Sequence, residues 1–242
     1  MEQIREFQKY KNRGAYHWEQ ISFNPIRRNA FVLGRYQNMI KLVKDEVDIK
    51  GKKLLDVGCG DGVLSYLFSK EGAKVYGIDY SDIAIEFARQ KTKNMGIDFR
   101  QGSAYELPYE DNFFDIVVSS DVIEHLEDVT EYLFEINRVV KMGGVVVIST
   151  PIKFTEFPLD KEHVVEWFPN EFKEVIENQF KNTKYYYSHP LALEQIYQAP
   201  YFGKQLGKIL FNIVSLIKNP FFGFDSRFKY LMLQYSVSKV NK

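Results

Sequence analysis

Apolar and polar positions along the chain follow two periods that take turns. Five short apolar runs, residues 53–57, 74–79, 97–101, 114–119 and 144–149, are each bounded by turn residues and read as strands. Between them the spacing is helical. Val63 to Phe68 follows the first strand, and Ile83, Ile85, Phe87 and Ala88 follow the second, behind a Ser81-Asp82 cap and ahead of a cationic end. Strand and helix alternating from Gly51 onward predict a parallel sheet with helices on both faces. Upstream, Asn29 to Val47 repeats apolar residues at helical spacing and predicts a helix leading into the core. Downstream, a helix is expected from Pro169 to Phe180, a sixth strand over Lys184 to Tyr187, and a last, well-alternating strand over Tyr230 to Val237. About 40 residues separate those two strands, too many for a plain loop. Within them Leu206, Ile209, Leu210, Ile213, Val214 and Ile217 fall on one helical stripe, framed by Gly203 and Pro220. That predicts an amphipathic helix of about a dozen residues, too short to span a bilayer.

Composition narrows the class. With 242 residues, 45% hydrophobic and 16% aromatic, the chain can bury one sizeable core. Lysine plus arginine equals aspartate plus glutamate, 32 each, so no global field points to nucleic acid. The single cysteine, Cys59, has no partner for an intramolecular disulfide, which fits a reducing compartment. Met1-Glu2-Gln3-Ile4-Arg5 lacks a signal-peptide apolar core, and no uncharged run approaches membrane-spanning length, so a cytoplasmic location is expected.

The chemistry concentrates at Lys53-Leu54-Leu55-Asp56-Val57-Gly58-Cys59-Gly60-Asp61-Gly62. A strand, a glycine turn and a helix N-terminus form a nucleotide cradle. A second acid, Asp79, ends the next strand, where a carboxylate can take both hydroxyls of a ribose. The turn reads G-x-G-x-G rather than the G-x-G-x-x-G of dinucleotide sites, and Asp56 precedes it where pyrophosphate would be repelled. A cationic ligand, an ammonium or a sulfonium, suits that position better.

In these residues, from about Gly51 to Tyr187, the chain resembles the class I S-adenosylmethionine-dependent methyltransferases, type 11 and the ubiquinone-pathway O-methyltransferases among them. The resemblance implies a Rossmann-like seven-stranded α/β sheet built from residues 51–190 and 227–242, an N-terminal helical flap over 1–50, and a helical insertion over 191–226. It implies that Asp56, Gly58 and Gly60 line the methionine end of S-adenosylmethionine, that Asp79 and Tyr80 meet the ribose, and that Ser103 and Ala104 border the adenine. Ser103 is a departure, since the family commonly has an aspartate there. Asn112 to Ser120 resembles the family's fourth motif, whose end at Ser120 borders the methyl group.

Asp121, Glu124 and His125 follow that strand at i, i+3, i+4 spacing, which on a helical turn puts them on one face. His163 arrives just past the fifth strand. Three readings stand. The cluster is structural; or Glu124, His125 and His163 do acid–base work on a hydroxyl nucleophile; or Asp121, Glu124, His125 and His163 hold a divalent metal. The last resembles the small-RNA 3′-end and ubiquinone-pathway enzymes; in the RNA enzymes Glu-x-x-Glu-His is followed by His-x-x-Glu-Trp, and here Asp121 replaces the first glutamate.

The resulting expectation is O-methylation of a small-molecule acceptor. Alternatives are a metal-dependent RNA 2′-O-methyltransferase, a non-catalytic nucleotide-binding module, or a nucleotide-dependent oxidoreductase. Arg13-Gly14-Ala15-Tyr16-His17-Trp18 is read as a surface-packed segment or a flap over the ligands. The insertion is read as core or as an acceptor lid. A membrane surface ranks behind both, because the only cations near the stripe are Lys204, Lys208 and Lys218. Oligomeric state is left open.

Overall fold

The computed structural model describes residues 9–156, 158, 160–200, 206–224, 228 and 230–241. Its strands are β1 (Lys53–Val57), β2 (Lys74–Asp79), β3 (Asp98–Gln101), β4 (Phe114–Ser120), β5 (Val140–Pro151), β6 (Thr183–Pro190) and β7 (Leu231–Lys239). They form one sheet in the order β3-β2-β1-β4-β5-β7-β6. The first five run parallel, while β7 is antiparallel to both β5 and β6. β5 differs from its expected bounds. It begins at Val140, and the expected Met142–Gly144 turn lies inside it as a register shift against β4, with Gly143 in the left-handed region.

The helices are α1 (Lys9–Arg13), α2 (Tyr16–Gln20), α3 (Ala30–Glu46), α4 (Val63–Lys70), α5 (Asp82–Lys91), α6 (Val129–Val139), α7 (Pro169–Glu177), α8 (Leu191–Gln198) and α9 (Leu206–Val214), with a 3-10 turn over Ile123–His125. Three start where the sequence supplies a cap. Asn29 accepts from Val32 N, Ser81 from Ala84 N and Asp128 from Glu131 N.

Successive strand residues point to opposite faces, and the two cores follow from that. Leu54, Ile116, Val118, Val145 and Val147 pack with Met39, Leu42 and Val43 of α3 and Phe68 of α4. Leu55, Val117, Val146 and Ile148 pack on the other side with Tyr132 and Ile136 of α6 and Phe172 and Ile176 of α7. Strands covered on both faces read as continuous apolar runs, which is why they stand out in the sequence.

The insertion is built differently from its expectation. Its α8 and α9 pack together over the N-terminal end of α3, where Tyr197, Phe221 and Ala30 form a small core. Gly34 permits the approach, since a Cβ there would lie 2.7 Å from Phe221 Cβ. None of the described residues from Leu191 to Phe224 lines the main cavity, whereas the lid reading required it. The expected framing residue Gly203, and Lys204, lie outside the described residues.

Candidate active site

The order of the strands reverses between β1 and β4, so the chain leaves these neighbours on opposite sides and opens a crevice at their carboxyl ends. A cavity of about 1390 Å³ sits there. Single-ligand pockets usually hold about 300–1,000 Å³, so there is room for two ligands side by side.

One half of the cavity is the glycine turn. Gly58, Gly60 and Gly62 all have positive φ. A Cβ on Gly58 would lie 2.3 Å from Val122 Cγ2, and one on Gly60 would lie 2.1 Å from the Tyr10 hydroxyl, so the loop can close only with glycine at both. Asp79 braces the turn from β2: one oxygen accepts from Gly60 N at 2.8 Å, the other from Ser81 N at 2.9 Å. Each oxygen keeps a lone pair for a ribose hydroxyl. Asp56 is buried and accepts from the Ser65 hydroxyl at 2.6 Å. Tyr80, Ser103, Ala104 and Ser120 line the cavity, and Ser103 Oγ also accepts from Tyr105 N at 3.1 Å.

The Arg13–Trp18 segment packs on the domain and borders the cavity. Trp18 donates to Asp61 O at 2.7 Å and packs on Tyr66, so it is fixed to the domain. Tyr16 and His17 face the cavity, and His17 Nδ1 lies 3.1 Å from Asp61 Oδ1. Asp61 had a sequence signal in its place between two turn glycines. Tyr10, which closes on Gly60, had none.

The other half lies past β4. Glu124 O accepts from Val164 N at 2.8 Å and Val165 N at 3.2 Å. That pair of bonds ties the later loop to the 3-10 turn and lays His163 against His125, their rings 4.9 Å apart. One donor atom from each of Glu124, His125 and His163 comes within 4.8 Å of the others. His125 Nδ1 faces Glu162 O at 2.9 Å and His163 Nδ1 faces Glu166 Oε1 at 2.6 Å. A carbonyl and a carboxylate can only accept, so both Nδ1 atoms carry the proton and Nε2 is the lone-pair nitrogen of each ring. Glu124 is fully buried. One of its oxygens accepts from Thr150 Oγ1 at 3.0 Å and the other, Oε1, has no hydrogen-bond partner.

Asp121 does not join this group. It has positive φ, so the assumed helical face breaks at its first member, and its carboxylate pairs with Arg35 and accepts from Ser149 Oγ at 3.2 Å. Arg35 could have been noticed as a cation among the buried positions of α3.

Three acids here share one electrostatic condition. Burial is the main cause that raises Asp56 to about 7, against the Ser65 hydrogen bond. Asp79 is raised for the same reason, and Glu124 well above the carboxylate range, by burial and then by the charge of Asp121. An acid whose folded pKa is raised favours folding below its unfolded pKa, and that contribution is lost as pH rises to the folded value. For Asp56 the window runs from about 4 to about 7. The ligand-free protein should therefore lose stability as pH rises from about 4 to about 7, and a bound sulfonium or ammonium should restore it by pairing with the ionised acid. Thermal melts of wild type and Asp56→Asn check this. The variant is expected to show a flatter pH dependence, a higher melting temperature at the alkaline end, and weaker stabilisation by ligand.

A crevice at the switch point, a glycine turn unlike that of dinucleotide sites, and acids at both strand tips form one Rossmann-like site. A sequence model of the methyltransferase domain family matches residues 55–148, from β1 into β5. Over these residues the chain is similar to the class I S-adenosylmethionine-dependent methyltransferases. It is 34% identical over 132 residues to a probable S-adenosylmethionine-dependent methyltransferase of Mycolicibacterium smegmatis, covering 52% of this chain and 51% of that one. It is 35% identical over 126 residues to a ubiquinone biosynthesis O-methyltransferase of Roseobacter denitrificans, covering 50% and 51%. The chain thus spans about half the length of these curated relatives. Among solved structures, a Haemonchus contortus phosphoethanolamine N-methyltransferase in complex with phosphomonomethylethanolamine and S-adenosylhomocysteine superposes with TM-score 0.68 at 19% identity, covering 100% of this chain and 61% of that one. At that identity the likeness speaks for the fold alone.

Proposed function

We propose that this protein transfers the methyl group of S-adenosylmethionine to a hydroxyl of a small-molecule acceptor. The observation that carries this reading is one cavity with a cofactor half, Asp56 to Asp79, and a polar half built on Glu124, His125 and His163. The 30–35% identity to proteins named as ubiquinone biosynthesis O-methyltransferases supports oxygen as the nucleophile.

S-adenosylmethionine, when bound, supplies a methyl group already made electrophilic by its sulfonium. The residues then have to position and deprotonate. Asp79 grips the ribose, the glycine turn leaves space for the methionine moiety, and the buried acids draw its cationic centres. His163, its Nδ1 proton held by Glu166, turns Nε2 toward the cavity as the proton acceptor; His125 is fixed in the same sense by Glu162 O. Tyr16 and His17 exclude water from the other side. In-line placement supplies most of the acceleration, since proton removal from a hydroxyl is the smaller demand.

A second reading is favoured by one observation. Two imidazoles oriented through their Nδ1 protons, beside a buried carboxylate oxygen without a partner, form a donor set that fits a divalent cation. Glu124, His125 and His163 would hold it, and it would polarise the acceptor oxygen. Among the described residues Asp121 stands apart as an ion-pair partner of Arg35. One assay tests both readings: labelled methyl transfer to a panel of catechols, phenols and amines, run with chelator and with added Mg²⁺, Mn²⁺, Co²⁺ or Zn²⁺. Phenolic products formed equally in chelator leave the acid–base reading. Activity lost in chelator and restored by cation favours the metal reading. Amine products alone would overturn the hydroxyl acceptor.

A further inference from the structure

Two polar side chains on the wall of the main cavity lack a partner. Gln20 lines it from α2; its Oε1 is buried, and its amide bonds to none of the described residues. Glu124 is the second. Thr150 Oγ1 donates to one of its oxygens, whereas Oε1, on a side chain with no exposed surface, has no partner. Arg35 Nε is also unbonded, but that guanidinium is already paired with Asp121. A buried polar atom left unpaired lowers stability, and on a cavity wall a ligand can bring what is missing. A hydroxyl answers both groups: it donates to the amide oxygen, and it donates to a carboxylate or accepts from a carboxylic acid.

The two groups reach the cavity from different supports. His17 and Trp18 tie α2 to Asp61 at the glycine turn, while Glu124 hangs from Thr150 on β5. One hydroxyl for each, and one more presented to His163 for methylation, makes three. A catechol has two. The rest of the acceptor half selects against other classes. Its aliphatic lining is Val32, Leu126 and Val164, one each from α3, the turn after β4 and the later loop, because Val122 is turned to Gly58. That is little apolar wall for a hydrocarbon chain. Around it stand Glu127, Asp128, Glu131, Asp160 and Glu162 against Lys161 alone, in a chain whose acids and bases are equal in number. Asp128 and Asp160 also serve their own turns, accepting from Glu131 N and Glu162 N. Five carboxylates to one lysine repel an anionic acceptor.

We propose that the acceptor is a polyhydroxylated compound without anionic groups, a sugar or cyclitol, held by hydroxyls at Gln20 and Glu124 while a third is methylated. The O–CH₃ bond forms as the S–CH₃ bond breaks, the electron pair of the latter stays on sulfur, and the hydroxyl proton passes to His163 Nε2. The proposal rests on the methyl-transfer reading above and narrows its acceptor.

Saturation-transfer NMR tests it by binding alone. The protein, free and loaded with S-adenosylhomocysteine, is offered myo-inositol, neutral methyl glycosides, the matching uronic acids, and catechol. Neutral polyols are expected to bind, catechol more weakly, and uronic acids least. Gln20→Leu should weaken polyol binding on the order of 10-fold with S-adenosylhomocysteine affinity unaltered, whereas Gln20→Glu keeps an acceptor oxygen and should retain most of it. Circular dichroism checks the fold, and the wild-type panel decides by itself if the leucine variant misfolds. No polyol binding, uronic acids bound as well as neutral sugars, catechol bound more tightly than every polyol, or polyol binding untouched by Gln20→Leu would each overturn the proposal. Labelled methyl transfer to catechol without polyol binding would overturn it and leave methyl transfer standing. Polyol binding without S-adenosylhomocysteine binding would support the polyol site and remove the methyl-transfer reading.

Discussion

His163→Ala is expected to lower methyl-transfer turnover about 10²–10⁴-fold with S-adenosylhomocysteine affinity nearly unchanged. His163 sits on the acceptor side of the cavity, reached through the Glu124 backbone, and touches neither the glycine turn nor Asp79. Its Nδ1–H donates to Glu166, so Nε2 is the atom whose chemistry the variant loses. Glu166→Gln should have a smaller effect, because the amide can still accept the Nδ1 proton while holding the ring less firmly. Steady-state kinetics paired with a binding measurement checks the split. Equal losses in turnover and cofactor affinity would mean that His163 supports the fold rather than the reaction.

Asp79→Ala should weaken binding of S-adenosylhomocysteine on the order of 10²–10⁴-fold, from two charge-assisted hydrogen bonds of about 1.5–3 kcal/mol each. The same carboxylate braces Gly60 N and Ser81 N, so the variant also loosens the turn. Asp79→Asn separates the effects: it keeps one acceptor oxygen and should fall between wild type and alanine. Equilibrium dialysis reads the series, and affinity unchanged in Asp79→Ala would remove the ribose contact from the account.

The sheet was legible because its parallel strands are covered on both faces and appear as apolar runs ending in turn residues. The glycine-turn half of the cavity was legible for a related reason. Asp56, the glycines and Asp79 lie within two consecutive strand ends, so local spacing states their geometry. Glu124, His125 and His163 were identifiable as residue types placed after neighbouring strands. Asp121 was misjudged because i, i+3, i+4 spacing matters only on a helix, and a left-handed residue at Asp121 ends that relation. The Asp61–His17 and Asp121–Arg35 pairs join segments 44 and 86 residues apart, and no local pattern encodes them. The orientation of α9 escaped for another reason. A stripe of apolar residues tells which side of a helix is apolar, whereas Asn212 and Ser215, which lie off that stripe, are what the protein buries.

The central claim is that the crevice above β1 and β4 binds S-adenosylmethionine. Calorimetric titration tests it most directly, with S-adenosylmethionine, S-adenosylhomocysteine and NAD each added to the wild-type protein. Saturable binding of the first two at one molecule per chain, with no heat from NAD, is the predicted result. Saturable binding of NAD with none of S-adenosylmethionine would contradict it.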